Sequence, residues 1–503
     1  MKKAILVFLC VFMVVSAAFA GGNRAGGGPA AGDGISIMIP LWSPEAPSRD
    51  TPVWEALERL AGERLDILFV PSDSYNERLN ITIAANELPH AFCVLEHQSN
   101  SFVSAANGGM FWELGGALRN SNSLSQTLPS SVLANATIGG RNYYIPRTRV
   151  TTRSAYNYRK DWLEQLGLRP PETLDDVYNV IRAFATQNPG GAGNSFGLIT
   201  AAADDGIWGF SIVAATNGAG NGFIEQNGQL VPSFTTRPYF DTLLFFKRLY
   251  DERLINQDFA TIRSQRGFEL LNAEQGGMYL GNSDEIWNRF DPLLSVKRVN
   301  NPNIELQDLW DFNARIRSPD GVIRIPGGIG FYGGFVFPRT SLRTEAEFQR
   351  VFNVFDKIDT ADGKILATFG IEGINYAFNN DGIAEQINHA VFTRDVGAFG
   401  QLSMTTATSP DSLPMIRHPM SQKIQTDQRQ NQQYAIMDPT YPFISPTFVS
   451  RNAELRSIIA DAMIQFVMGQ INEAGYWAAV ERWRSSGGQQ IINEYTQAFD
   501  ASR

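Results

Sequence analysis

The 503-residue sequence is poor in the residue types on which several kinds of function depend. It contains two cysteines, Cys10 and Cys93, and Cys10 lies in the apolar amino terminus, so a framework of disulfides is excluded. The four histidines, at 90, 97, 389 and 418, lack the spacing of a zinc site, and we expect no metal and no cofactor. Basic residues are outnumbered 42 to 51, and the resulting charge of −9 disfavours nucleic acid as a partner.

Long apolar runs are also missing after the first twenty residues. There, Lys2 and Lys3 precede an apolar stretch that ends in Ala18-Phe19-Ala20, the pattern of a cleaved secretory signal. The bulky residues before Cys10 argue against lipid attachment at that cysteine. We therefore expect an exported protein that diffuses in a periplasm, with residues 21–34 as a flexible leader.

From Ile35 onward, strand patterns alternate with helix patterns, which is typical of an α/β fold with mostly parallel strands. The first three strands are "ISIMIPLW", "RLDILFVP" and "HAFCVL". Ligands bind beyond the carboxyl ends of such strands, which places Trp42 and Glu96 at a candidate binding edge. His97 follows Glu96 at the same edge, although an exposed loop pair would fit these two residues equally well.

The pattern changes at residues 141–157, which are extended and rich in Tyr and Arg, and we interpret this change as the crossing into a second lobe. We predict that residues 35–148 and 331–400 form the first lobe. Residues 149–330 and most of 401–503 form the second.

The stretch "YRKDWLEQLGLRPPET" at 158–173 predicts a short helix that stops at Gly167, with Pro170 and Pro171 preventing its continuation. Thr173 then caps a new helix, and Asp176 completes a capping box. Two roles stay open for Arg159 in this corner. Its guanidinium could fork onto ligand hydroxyls or a uronate carboxylate, or it could pair with a nearby acid and hold the corner. We favour the second role.

This stretch closely resembles the segment that marks family 1 of the extracellular solute-binding proteins, which serve oligosaccharide ABC importers. The matching positions run from Arg159 to Leu163, then Leu166 to Leu168, Pro171 and Thr173. The runs "ITIAANELPHAFCV", "RLYDERLINQDF", "GGMYLGNSDEIW" and "FGIEGINYAF" also resemble family landmarks. The loop 188–195 departs from the alginate-binder branch, because it has none of the acids of that branch's calcium loop, and we expect no calcium there.

The resemblance implies a two-lobed periplasmic-binding-protein fold of type II, with mixed sheets flanked by helices and a ligand cleft between the lobes. A sugar ring offers apolar faces and a hydroxyl rim, so its site needs flat aromatic rings and planar polar groups. The candidate ligand-binding residues are Trp42, Glu96, Arg159, Trp208, Asn282, Asp284, Trp287 and Tyr376.

The function implied is capture of an oligosaccharide and its delivery to the membrane permease of an ABC importer, by a protein expected to be a monomer. A binding protein for peptides or another small solute is the first alternative, since one fold hosts both. A secreted glycoside hydrolase is the second. It would need two facing carboxylates, whereas Asp204-Asp205 and Asp284-Glu285 are adjacent pairs, and adjacent acids point apart. We therefore expect a binding protein and not an enzyme.

Overall fold

The structure, a computed structural model, describes residues 34–404 and 420–503, except for Pro44, Asn194 and Asp381. The predicted signal peptide, Cys10 and most of the predicted leader lie outside the described residues. No helix within the described part is long and apolar enough to cross a membrane.

The first lobe is built on a five-stranded sheet in the order β2-β1-β3-β16-β6. Strands β1, β2 and β3 are parallel, while β16 is antiparallel to both β3 and β6, so the sheet is mixed. Its elements are β1 Ile35–Leu41, α1 Pro52–Ala61, β2 Leu65–Pro71, α2 Ser72–Ala85, β3 Ala91–Val94, α3 Asn100–Asn107, α4 Gly115–Asn120, α5 Leu124–Thr127, α6 Ser130–Asn135, β4 Thr137–Ile138, β5 Arg141–Asn142 and β6 Tyr144–Thr148, and later β16 Phe331–Val336, α15 Glu345–Ile358, α16 Ala361–Phe369, β17 Tyr376–Phe378, β18 Ala384–Gln386 and α17 His389–Asp395.

The second lobe is built on a four-stranded sheet in the order β14-β7-β13-β8, in which only β13 and β8 are parallel. Its elements are β7 Ser154–Arg159, α7 Lys160–Gln165, α8 Leu174–Gln187, β8 Phe196–Leu198, β9 Ala202–Ala203, β10 Gly206–Ile207, α9 Phe210–Thr216, β11 Phe223–Gln226, β12 Gln229–Pro232, α10 Arg237–Asp251, α11 Ser264–Asn272, β13 Gly276–Asn282, α12 Glu285–Arg289, α13 Asp291–Arg298, α14 Leu306–Leu309, β14 Trp310–Asn313 and β15 Ile325–Pro326, and later α18 Met420–Gln430, β19 Ala435–Ile436, α19 Pro446–Val467, α20 Glu473–Trp483 and α21 Gln489–Ala501.

Helix boundaries follow local chemistry in both lobes. The Thr51 side chain caps α1 by accepting a hydrogen bond from the Trp54 amide. Pro52 occupies the first helical position, where an N–H would have no partner within the helix. Thr173 and Asp176 form the predicted capping box at the start of α8. Gly167 has φ +64, the left-handed conformation predicted for the end of α7.

The second sheet is buried on both faces because its strands alternate two apolar sets. On β13, Met278 and Leu280 pack into one hydrophobic cluster, and Tyr279 packs into another on the opposite face. The neighbouring β7 follows the same rule, with Tyr156 in the first cluster and Ala155 in the second. The first lobe has its own cluster, so each sheet is covered by a separate core.

The chain passes between the two sheets at 149–153, after β6, and again at 327–330, before β16. These two crossing segments lie side by side. The Arg149 amide donates to the Gly330 carbonyl at 2.8 Å, and the Gly328 amide donates to the Thr151 carbonyl at 2.8 Å. The predicted lobe boundaries stay a prediction.

The apolar spacing of the carboxyl-terminal sequence predicts one helix from Glu473 to about Phe499, but the structure divides it. A π-helical segment, Arg484–Gly488, separates α20 from α21. Gly487 has φ +133, which breaks the helical path, and the position of Gly488 leaves no room for a Cβ beside Trp483.

Candidate functional site

One edge of the first sheet gathers three residues from separate strands. Because β1 and β3 are parallel and β16 is antiparallel to β3, the ends of β1 and β3 meet the start of β16. Trp42 follows β1, Glu96 follows β3, and Tyr332 is the second residue of β16. The strand β6 ends at this edge too, since Thr148 pairs with Phe331, so the crossing segment 149–153 leaves from the same place.

Trp42 and Tyr332 form an exposed aromatic pair at this edge. Their ring centroids are 6.1 Å apart with an interplanar angle of 52°, and the two residues are 45% and 48% exposed. Most large aromatics of the described part are buried in the clusters, so an exposed pair at a strand end is a feature that packing does not explain. Two tilted rings offer flat apolar surface to a ligand.

Polar groups flank the aromatic pair. Glu96 is exposed, and its Oε1 accepts a hydrogen bond from Asn76 Nδ2 at 3.0 Å. His97 packs edge-on against Phe331 at 5.1 Å between centroids, and its Nε2 is buried without a hydrogen-bond partner. Burial lowers the pKa of His97 to about 4, so the imidazole is neutral near pH 7.

Three arginines follow the chain into the crossing segment. Arg147 is fully buried and donates to the Gln401 side chain and, at 3.4 Å, to the Tyr332 carbonyl. Arg149 is half-buried and donates from Nη1 to the Thr148 carbonyl at 2.8 Å. Arg153 binds both carboxylate oxygens of Asp284, at 3.2 and 2.5 Å.

The facing edge of the second lobe is the end of β13. Asn282 pairs with Ser154 at the start of β7, and the Ser283 amide donates to the Arg153 carbonyl at 2.8 Å. The Asn282 amide donates to Glu285 Oε2 at 3.0 Å. Burial, followed by the charge of Asp284, raises the pKa of Glu285 to about 7.

A cavity of about 540 Å³ lies beside the crossing segments. It is lined by His97 and Gln98 of the first lobe, by Ile329 of a crossing segment and otherwise by residues of the second lobe. Asp438 lies in its wall and accepts hydrogen bonds from the amide and hydroxyl of Thr440 at 2.8 and 2.6 Å. Burial raises the pKa of Asp438 to about 6. The aromatic residues of the wall are Phe210, Phe223, Phe234, Tyr239, Tyr441, Phe448, Trp483 and Tyr495.

Six of the eight predicted ligand residues lie in three regions of the structure. Trp42 and Glu96 lie at the first-lobe edge, and Asn282 and Asp284 lie at the end of β13, with half-buried Trp287 on the helix that follows. Trp208 is half-buried and stacks on Tyr279 with centroids 5.8 Å apart.

The other two predicted residues lie apart from these edges. Arg159 is at the opposite end of β7 from Ser154, fully buried, with its guanidinium bound to Asp161 and Glu274. Tyr376 is 6% exposed in the β17–β18 hairpin and packs edge-on against aromatic neighbours.

Sequence reasoning missed Tyr332 and Arg149. Arg149 lies in the segment 141–157, which the sequence analysis noted only as extended and rich in Tyr and Arg. The signal that would have found both is their position at strand ends beside the crossing.

One sequence run imitates a hydrolase motif. Residues 193–197 spell Gly-x-Ser-x-Gly, and in a serine hydrolase such a run follows a strand and opens a helix. Here Ser195 precedes the strand β8, and its hydroxyl donates to the Phe184 carbonyl at 3.1 Å. Ser195 therefore closes the loop after α8 and is not presented as a nucleophile.

The architecture as a whole, two α/β lobes with a ligand-sized cleft where the chain crosses between them, defines the class of two-lobed solute-binding proteins. Residues 43–292 match the family model described as bacterial extracellular solute-binding protein. The chain belongs to this family.

Two relatives from Bacillus subtilis (strain 168) are similar over nearly the whole length. Lipoprotein LipO is 32% identical over 480 residues, which are 94% of this chain and 93% of the relative. The polygalacturonan/rhamnogalacturonan-binding protein YtcQ is 32% identical over 474 residues, 93% of this chain and 92% of the relative.

Solved structures share the fold at lower identity. An HMO-binding, ABC-transporter-associated solute-binding protein from Bifidobacterium longum infantis aligns with a TM-score of 0.70 at 17% identity, over 93% of this chain and 98% of that one. The alginate-binding protein AlgQ2 without calcium ion aligns with a TM-score of 0.66 at 17% identity, over 93% and 97%.

Proposed function

We propose that this protein captures an oligosaccharide between its lobes and delivers it to the permease of an ABC importer. The observation that carries the proposal is the exposed pair Trp42–Tyr332 at the ligand-facing edge of the first sheet. Exposed rings beside polar groups match a sugar, which has an apolar face and a hydroxyl rim. The relatives support the same class, since YtcQ is named for a polysaccharide and the Bifidobacterium protein for HMO.

The neutral His97 and the second-lobe groups around Asn282 would complete the site from both sides. A ligand that contacts both edges stabilises the closed arrangement over the open one, so binding and closure are coupled. The two hydrogen-bonded crossing segments, 149–153 and 327–330, are the hinge in this proposal.

The bound sugar would be released unchanged, and we propose that the protein is a monomer without catalytic activity. We also propose that it is exported and works in a periplasm after cleavage at Ala20. Intact mass of the mature protein tests this last point. A mass that begins at Gly21 supports it, while an acylated amino terminus at Cys10 would place the protein on a membrane, as the name of the relative LipO implies for that relative.

The binding proposal is tested by thermal unfolding of the exported protein against a panel of oligosaccharides, monosaccharides and peptides. A ligand at 100 times its dissociation constant adds about 2.7 kcal/mol to the free energy of unfolding. We expect an oligosaccharide to produce this shift. Shifts with peptides alone would overturn the sugar proposal and favour the peptide alternative.

Two variants locate the site. Trp42→Ala and Tyr332→Ala each remove an exposed ring, and each should weaken oligosaccharide binding by about 1 kcal/mol or more. Leu244→Ala is the matched control, because Leu244 is also 40% exposed but lies on α10 of the second lobe. Equal affinities in all three variants would show that the aromatic pair does not hold the ligand.

A further inference from the structure

The three arginines of the crossing differ in how their charges are balanced. Arg153 is paired with Asp284. Arg147 has neutral partners, which are the Gln401 side chain, the Tyr332 carbonyl and the Cys93 sulfur. Arg149 forms no ion pair with any residue in the described ranges, and its Nη1 donates only to the carbonyl of the preceding residue. Arg147 in β6 and Arg149 in the crossing segment are therefore two positive charges without an acidic partner among the described residues.

The side chain of Arg149 has donors to spare. A guanidinium has five N–H groups in a planar fork, and here Nη1 is engaged while Nε and Nη2 have no hydrogen-bond partner in the described part. The backbone of Arg149 is fixed, since its amide donates to the Gly330 carbonyl at 2.8 Å. Arg149 thus has a fixed backbone and two guanidinium nitrogens, Nε and Nη2, that are available as hydrogen-bond donors.

The surroundings of Arg149 disfavour the charged form of its guanidinium. Burial, then the neighbouring charges of Arg147 and Arg153, lowers the pKa of Arg149 to about 9. Concentrating unpaired guanidinium groups in a half-buried place is unfavourable unless an anion joins them. The chain as a whole is acidic, with a formal net charge of −9, so this site is positively charged in a protein of negative net charge.

The aromatic pair is part of the same neighbourhood. Tyr332 lies two residues after Gly330, whose carbonyl accepts the Arg149 amide, and its own carbonyl accepts a hydrogen bond from Arg147 Nη1 at 3.4 Å. Glu96, the acid at this edge, accepts a hydrogen bond from Asn76. A ligand ring lying on Trp42 and Tyr332 would accordingly have half-buried Arg149 near its border, while Arg147 is fully buried beneath it in the sheet.

We propose that Arg149 receives a carboxylate of the ligand, and that the bound glycan is acidic, with a uronate ring at the Trp42–Tyr332 pair. The fork of a guanidinium matches the two oxygens of a carboxylate, which gives two parallel charge-assisted hydrogen bonds. This inference rests on the proposed function, and it adds the substrate class and the residue that selects it.

Calorimetric titration tests the inference with matched acidic and neutral probes. The probes are trigalacturonate, trimannuronate and triglucuronate, each beside its fully methyl-esterified form, which keeps the rings and removes the charge. We expect the wild-type protein to bind one of the acids roughly 10- to 100-fold more tightly than its ester, because hydrogen bonds to charged groups are the stronger ones. Added salt should weaken binding of the acid and leave the ester unchanged.

Three variants separate selection from structure. Arg149→Gln should lose the preference for the acid, with an affinity loss for the acid roughly tenfold or more larger than its loss for the ester, whose carbonyl accepts only the weaker hydrogen bond. Arg149→Lys should keep part of the preference, because the charge remains without the fork. Arg59→Gln removes the same charge from an exposed ion pair on α1 and should bind both probes normally.

The contrary results are distinct. If the wild type binds esters or neutral oligosaccharides as tightly as the acids, the uronate inference fails and oligosaccharide binding stands. If Arg149→Gln weakens acid and ester alike, Arg149 acts through the structure and the inference is overturned. If no glycan of either kind binds, the proposed function fails together with it.

Discussion

Replacing Arg159 with methionine separates the two roles that the sequence left open for it. The guanidinium is fully buried, donates to Asp161 at 2.7 and 2.5 Å and to Glu274 at 3.0 Å, and lies over the ring of Trp162 with its Cζ 4.8 Å from the centroid. It stands at the end of β7 opposite the crossing. These contacts favour the structural role, which predicts that loss of the guanidinium lowers stability and leaves ligand affinity unchanged.

The expected loss follows from what the substitution leaves behind. Removing one partner of a buried ion pair typically costs 3–5 kcal/mol, because the remaining charge stays unpaired. Here Glu274 keeps Lys297 at 2.8 Å, and the side chain of Asp161 is 30% exposed. We therefore expect a value at the lower end, about 3 kcal/mol.

Urea unfolding followed by fluorescence measures this loss, and calorimetry measures ligand affinity in the same preparations. Arg298→Met is the control, since Arg298 pairs with Glu305 at 2.7 Å between side chains that are 43% and 35% exposed. Such a pair contributes about 0–1 kcal/mol. Unchanged stability with weakened ligand binding in Arg159→Met would refute the structural role and favour the ligand clamp.

Three further predictions concern the second lobe. The pKa of Glu285 is about 7 in the folded state, raised from an ordinary value of 4.5, so the folded state binds an extra proton between these pH values and stability falls as the pH rises through them. Glu285→Gln should therefore be more stable than the wild type above pH 7, by on the order of 1–3 kcal/mol, and equally stable near pH 4. Thermal scans at the two pH values measure this difference. Gly197→Ala should destabilise the protein by about 1–3 kcal/mol or prevent folding, since its Cβ would lie 1.8 Å from the Ile181 carbonyl oxygen. Gly116→Ala is the control, because its Cβ would meet nothing within 4 Å, and it should be neutral when both variants are unfolded in urea. Thr173→Ala should cost about 1 kcal/mol through loss of its cap, and a loss below a few tenths would contradict the capping box.

Local chemistry explains why so much of the fold was predictable. The helix α15 can be read from the sequence, because Thr344 caps it and its apolar residues recur at helical spacing. The stop of α7 at Gly167 was predicted for a similar local reason. Cys93 is buried, as the apolar residues on both sides of it indicate.

Sheet pairing was harder to predict, since strand direction depends on partners far along the chain. The expectation of mostly parallel strands holds for β1, β2 and β3, but β16 returns antiparallel from some 240 residues later. The break at Gly487 was missed because glycine alone does not announce a positive φ within an otherwise helical pattern.

The candidate site depended on the same long-range pairing. Trp42 was predictable from one strand end, whereas its partner Tyr332 comes from a strand 290 residues further on. Arg149 drew no attention because its unpaired state is a property of the folded surroundings and not of its neighbours in sequence.

Hydrogen–deuterium exchange of the exported protein, with and without the most stabilising glycan, tests the central claim most directly. We predict that the glycan slows exchange in both crossing segments, 149–153 and 327–330, and at the two edges around Trp42 and Asn282. Protection confined to one lobe, or to surfaces away from these edges, would contradict capture between the lobes.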